Sequence, residues 1–217
     1  MAMLPWDELV ALLARSSDLE SAFTATESAA ERAAFALLIG VVSPQRLPQA
    51  ARAVEHLLRS NPTPDATQVA RAVLGRPSRS AALVPLRRAL KWLASLGSGG
   101  PDMADNAPEA LVSAIAADAR VSTPIAARLA LLVYESPILP LDRPVLRILL
   151  RHGWLDLPGE GFEQEGYVRC ERPVAEMRKL YFALRHVAET HCRRAAPRCT
   201  HCPLEPLLPD SGPLEFA

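Results

Sequence analysis

Near its C-terminus the chain reads Cys192-Arg-Arg-Ala-Ala-Pro-Arg-Cys199-Thr-His-Cys202-Pro-Leu, three cysteines in a C-x6-C-x2-C pattern. A C-x2-C pair can hold two corners of a metal site from one turn. A third thiol brought in by a short loop suits a soft metal or an iron–sulfur cluster. Arg193, Arg194 and Arg198 stand among these cysteines, where they would offset the negative charge of a thiolate assembly and lower the thiol pKa values. Zinc on the three cysteines plus His191 or His201 is the alternative chemistry, and a metal-free loop is a third. The cysteines sit among Arg and Pro rather than on an apolar face, which argues against ordinary core residues. A second candidate is Asp142, at the head of the stretch Arg143-Pro-Val-Leu-Arg-Ile-Leu-Leu-Arg151. A carboxylate there is placed to cap a helix.

Helical periodicity places both candidates. Pro173–Thr190 carries Val174, Met177, Leu180, Tyr181, Leu184 and Val187 along one stripe, so it reads as a long helix that delivers the chain into His191-Cys192. Asp142 is placed to cap its own helix, with Pro144 in the first turn and Gly153 just past the end. Upstream, Ala30–Val42 is apolar nearly all round and predicts a buried helix stopped at Ser43-Pro44, and Leu47–Arg59 follows. In Ser80–Leu96, Leu83, Leu86, Leu90 and Leu93 form an apolar side, while Arg87, Arg88 and Lys91 share the other and face either solvent or phosphate. Gly97–Asp102 is a loop or linker signal. Helices resume at about Ala107–Asp118 and Thr123–Glu135, a Gly- and Glu-rich connection precedes the last helix, and the tail beyond Leu208 reads as loosely ordered. No segment reads as a strand.

The bulk properties agree with a helical globular protein. Of 217 residues 49% are apolar and only 22% charged, enough to bury a real core. The formal net charge is zero, so no overall basic excess advertises nucleic acid. The charge is uneven, however: Arg143–His201 holds 11 Arg plus Lys against 7 acids. The opening MAMLPWDELV has an acidic pair where a secretory signal needs positive charge, and the longest apolar run is too short to span a bilayer. A cytoplasmic location without membrane association is expected, where clustered cysteines are better explained as metal ligands than as disulfides.

The cysteine spacing, placed directly after a long helix, resembles the cluster loop of endonuclease III and its relatives in the helix-hairpin-helix DNA glycosylase superfamily. The family's loop is C-x6-C-x2-C-x5-C; here the fourth position is Leu208. Cys170 is the spare thiol, and Asp210 or a His are substitutes for the missing ligand. The family also carries a catalytic Asp about fifty residues before the first cluster cysteine, in a motif like V-D-T-H-I-x-R-V. Leu141-Asp142-Arg143-Pro144-Val145-Leu146-Arg147 is similar in its Asp, its apolar pair and its Arg, and the gap to Cys192 fits. Val42-Ser43-Pro44-Gln45 resembles the S-A-Q turn whose Gln enters the duplex beside an extruded base.

The resemblance weakens at the hairpin, which in the family reads L-P-G-V-G-R-K-T-A. Ala119-Arg120-Val121-Ser122-Thr123-Pro124-Ile125-Ala126 falls there, with Arg120 and Ser122 on the glycine positions and Pro124 where bifunctional members carry a lysine nucleophile. The hairpin is therefore expected to be longer, rearranged or impaired in phosphate binding.

The resemblance implies an all-α fold of two helical lobes flanking a DNA-binding cleft, with a C-terminal iron–sulfur loop. Residues 25–139 would form the hairpin domain, and 1–24 plus 140–217 the cluster-bearing one. It implies a monomer acting on double-stranded DNA, nucleoid-associated when bound, with a cluster of the 4Fe-4S type or, alternatively, zinc. Asp142 would be catalytic, Cys192, Cys199 and Cys202 would bind the metal, and Gln45, Arg120, Ser122, Arg193 and Arg194 would contact DNA. Without the lysine, no Schiff-base strand cleavage is expected. The implied activity is a monofunctional DNA glycosylase. The alternatives are a catalytically impaired protein that binds damaged or structured DNA, and a helical regulator with a zinc or redox loop.

Overall fold

The computed structural model describes residues 4–13, 18–26, 28–61, 64–75, 86, 88–90, 92, 107–155 and 166–214. Among them the protein is helical, with two three-residue strands. The helices are α1 (Trp6–Leu12), α2 (Asp18–Thr24), α3 (Ala29–Leu38), α4 (Leu47–Ser60), α5 (Ala66–Leu74), α6 (Pro108–Ala119), α7 (Thr123–Leu132), α8 (Arg143–Arg151) and α9 (Val174–Thr190). Strand β1 (Ile138–Pro140) precedes α8, and β2 (Tyr167–Arg169) precedes α9. Most of the expected Ser80–Leu96 helix, with Arg87 and Lys91, lies outside the described residues; Arg88 within it is exposed. The Gly97–Asp102 loop and most of the Gly- and Glu-rich connection lie outside them too. No single helix among the described residues is long and apolar enough to cross a membrane.

Chain contacts divide the protein into two units: Ser21–Ser136, and Met1–Glu20 together with Pro137–Ala217. In the first, α4 packs on α3 and α5, and α7 packs on α3 and α6. Phe35, Leu38, Leu47, Val54, Val69, Ile115, Leu129 and Leu132 are fully or almost fully buried there, each contributing about 1.5–3 kcal/mol by leaving water. Ser28 caps α3 by accepting the Glu31 amide at 3.0 Å. The helix stops at Leu38 rather than at Ser43-Pro44, because Gly40 takes φ +80°, a left-handed turn open to glycine. Asp65 and Gln68 form a reciprocal capping box at the start of α5.

In the second unit, α9 is the central helix. Met177, Leu180, Tyr181, Phe182, Leu184 and Val187 are buried along it, and α1, α8 and β1 pack against it. Arg172, just before α9, pairs with Asp7 of α1 and with Glu176, tying the chain's start to this unit. The two strands were not expected from sequence. They pair antiparallel, Ile138 opposite Arg169 and Pro140 opposite Tyr167, with flanking bonds from the Leu141 amide to the Gly166 carbonyl and from the Cys170 amide to the Pro137 carbonyl. This short ribbon fixes the chain just ahead of Asp142. The tail is also better ordered than expected: the Leu214 amide bonds the Arg151 carbonyl at 2.9 Å, laying residues 209–214 back on α8.

Candidate functional site

Asp142 is the N-cap of α8. Its backbone is extended, and its Oδ1 accepts the Val145 amide at 3.4 Å, a long capping bond. The carboxylate is buried, 8% exposed, and its second oxygen is bound twice from α9. The Tyr181 hydroxyl donates to Oδ2 at 2.7 Å, and the Arg185 guanidinium donates to the same oxygen at 2.5 Å. Burial opposes the charge on Arg185, but Tyr181, Asp142 and Glu189 outweigh it and raise its pKa above the usual arginine range. Glu189, one turn on, takes the other guanidinium nitrogen at 3.2 Å. Asp142 is thus a buried, charge-paired anchor between α8 and α9. The sequence reading placed Tyr181 on the apolar stripe and passed over Arg185. The signal was there: a Tyr, an Arg and a Glu at i, i+4, i+8 break an otherwise apolar helix face.

Helix α8 also holds the cysteine loop. Arg147 donates to the Cys192 carbonyl at 2.8 Å and to the Ala188 carbonyl at 3.2 Å, capping the C-terminus of α9. Arg151 reaches the Cys192 sulfur at 3.4 Å and the carbonyls of Arg193 and Arg194 at 2.7 and 3.0 Å. Those four carbonyls are otherwise loop or helix-end acceptors, which explains why two arginines one turn apart face them. The loop closes on itself: the Arg193 and Arg198 amides both bond the His191 carbonyl, and the Cys202 amide bonds the Cys199 carbonyl across a 3-10 turn. Leu204, fully buried, anchors the segment beyond.

Cys192, Cys199 and Cys202 line one cleft with Arg151, His152, His191, Leu208 and Pro213. The cleft is shallow and partly open to solvent, with a cavity volume of only about 10 Å³. Among the described residues no three His, Cys, Asp or Glu are grouped to hold a single metal ion. All four cysteines are free thiols. Burial pushes the Cys202 thiol up; the Leu204 amide opposes this, while Cys192, Cys199 and Glu205 add to it. Leu208, at the expected fourth position, stands in the wall but offers no donor. Cys170 is at the end of β2 and does not line the cleft, nor do Asp210 and His201. The side chains of Arg193, Arg194 and Arg198 are exposed.

The remaining predicted residues belong to the other unit. Gln45 is exposed in the 3-10 turn Pro44–Arg46. Arg120 and Ser122 lie in a tight connection where α6 and α7 turn through 118°. The hairpin is not lengthened. Arg120 itself takes the left-handed conformation, φ +51° and ψ +49°, that a glycine adopts freely. Val121 is buried beneath the turn, and Ser122 is exposed at the N-cap of α7 without a side-chain capping bond.

The sequence matches no known protein-family model, and no curated protein is significantly similar to it.

Proposed function

We propose that the protein acts in DNA base-excision repair as a monofunctional glycosylase, with Cys192, Cys199 and Cys202 holding an iron–sulfur cluster. One observation carries this reading: the helix that presents Asp142 at its N-terminus grips Cys192 at its C-terminus, through Arg147 and Arg151. The two motifs on which the family resemblance rests are therefore one rigid construction. A polynuclear cluster spreads its thiolate ligands around its own core, so thiols lining a cleft suit it better than they suit a single zinc ion. When bound, the cluster would brace the loop that displays Arg193, Arg194 and Arg198 toward phosphates.

On a base extruded from the duplex, the Asp142 carboxylate would stabilise positive charge developing on the sugar. Its pairing with Arg185 and Tyr181 fixes its position. In this reading the short connection at Arg120–Ser122, whose two side chains are exposed, would meet the DNA backbone in place of the family's glycines. Without a lysine in this hairpin, base release would leave an intact abasic strand. The test is a panel of lesion-bearing duplexes, read with and without hot alkali. Strand breaks that appear only after alkali are expected; direct breaks, or none under either condition, would count against a monofunctional glycosylase.

The Arg185–Asp142 pair also favours a second reading, a protein that binds damaged or structured DNA without chemistry. A carboxylate whose charge is already matched by a buried guanidinium stabilises a nearby cation less. Tight, salt-sensitive duplex binding with no base release across the panel would select that reading.

A further inference from the structure

Helix α7 reads Thr-Pro-Ile-Ala-Ala-Arg-Leu-Ala-Leu-Leu, and Arg128 is its single charged residue. The side chain is buried, 5% exposed, on a helix buried from Ala126 to Leu132. Its Nη1 donates to the Ile39 carbonyl at 2.8 Å, across 89 residues of sequence. Its Nε has no hydrogen-bond partner among the described residues. A buried guanidinium with a donor left over stabilises a core less than a well-packed leucine in its place. What Arg128 adds is a fixed link between two distant stretches of chain, both inside the Ser21–Ser136 unit.

One end of the link is the helix that opens at the Arg120–Ser122 connection. The other is the point where the chain leaves α3, with Ile39 at ψ +122° and Gly40 at φ +80°. Beyond it the Val41 and Val42 amides both bond the Leu38 carbonyl, at 2.9 and 3.3 Å, and the Arg46 amide bonds the Ser43 carbonyl at 3.0 Å. These are short local turns, and Arg128 takes the Ile39 carbonyl among them from another helix. Two turns with exposed donors therefore share one buried tie: Gln45 and Arg46 stand on one, Arg120 and Ser122 on the other.

We propose that Arg128 is a positioning residue for duplex binding. It holds the Pro44–Arg46 turn to α7, so that Arg46 and Arg120 meet the phosphate backbone as one preset pair of contacts. The inference rests on the DNA-binding part of the reading above, not on the cysteine loop or on base release. Guanidinium groups suit phosphate, and contacts set in advance lose less freedom on binding.

The test is fluorescence anisotropy of the full chain on a labelled duplex carrying an abasic-site analogue, repeated over a range of salt. Arg46→Ala should weaken binding and lower the slope of log affinity against log salt by about 0.9. In the Arg128→Met background the loss from Arg46→Ala should shrink several-fold, while Arg120→Gly keeps its full effect. Arg128→Lys, which retains a donor for the Ile39 carbonyl, should restore part of the Arg46 effect. An Arg46→Ala loss that is equal with and without Arg128 would make Arg128 a core residue only and overturn the proposal. Hydrogen exchange on the unaltered chain needs no variant to fold: the Gln45 and Arg46 amides should gain protection together with residues 120–122 when duplex is added. Protection of 120–122 alone would also overturn the proposal while leaving DNA binding intact. A chain that binds no duplex would sink both.

Discussion

The Arg185 guanidinium lies 2.5 Å from the Asp142 carboxylate, across the packing of α9 on α8, and Tyr181 binds the same oxygen. The carboxylate that the sequence singled out for chemistry is thereby also a structural joint. The proposed chemistry would draw on the same charge, so substitutions around it separate the two by readout: folding free energy for the joint, base release for the chemistry.

Arg185→Met leaves the Asp142 carboxylate buried without its countercharge. Breaking one side of such a pair costs about 3–5 kcal/mol. Tyr181→Phe removes one hydrogen bond to a charged acceptor and should cost about 1.5–3 kcal/mol. Urea unfolding of both variants, alone and combined, checks this, and the combination should fall short of the sum because the two donors share an oxygen. A loss under about 1 kcal/mol for Arg185→Met would mean the pair does not join the helices.

Asp142→Asn should lower base release by on the order of 100-fold or more, the scale of a lost electrostatic stabiliser. The substitution also unpairs Arg185, so the comparison belongs in conditions where circular dichroism shows both proteins folded. Undiminished release would remove Asp142 from the mechanism.

At the hairpin, Arg120→Ala and Arg120→Gly delete the same side chain but differ in backbone tolerance of φ +51°. Glycine should leave the protein more stable than alanine by about 1–2 kcal/mol, the cost of a left-handed residue with a Cβ. Thermal unfolding decides it. Equal stabilities would mean that the turn relaxes out of the left-handed region.

The helices were legible because their apolar periodicity is strong. Asp142, Pro144 and Gly153 marked the limits of α8 in advance, and Gly153 does take φ +67° past its end. Two kinds of feature were hidden. The β1–β2 ribbon is three residues a side, too short for alternation to register, and it forms only because Pro137 meets Cys170 and Leu141 meets Gly166 across a sequence gap. The partners of Asp142 and Cys192 were hidden because Arg185, Arg147 and Arg151 act across 41 to 45 residues of sequence. A single sequence shows them only as charges interrupting amphipathic faces. The three cysteines were visible from their spacing, but their shared cleft wall required coordinates.

Arg151→Leu keeps the aliphatic stem on α8 but removes the bonds to the Cys192 sulfur and to the Arg193 and Arg194 carbonyls. The loop should lose order, and iron retained after anaerobic reconstitution should fall by about 10- to 100-fold, the scale expected when outer partners of metal ligands are removed. Iron and sulfide content, with protease sensitivity of residues 193–201, reads both effects. Unaltered iron content would assign Arg151 to packing alone.

His152 gives the protein a pH dependence whose sign is fixed by its surroundings. The ring is buried, stacked on Trp154 at 4.3 Å, and bonded to the Leu207 carbonyl. Burial lowers its pKa below the ordinary 6.5, and the Leu207 bond opposes this only in part. Between the folded-state value and 6.5 the unfolded chain therefore binds more protons, so stability rises with pH through that window. The contribution is present above 6.5 and is lost as pH falls toward the folded-state value. His152→Asn keeps an amide donor for Leu207 but removes the titration. Urea midpoints of the two proteins at about pH 7.5 and about pH 5.5 should show a larger acid loss in the unaltered chain, since the other titrating groups are common to both. Parallel midpoints at both pH values, or a larger acid loss in the variant, would show that His152 is not held neutral by its burial.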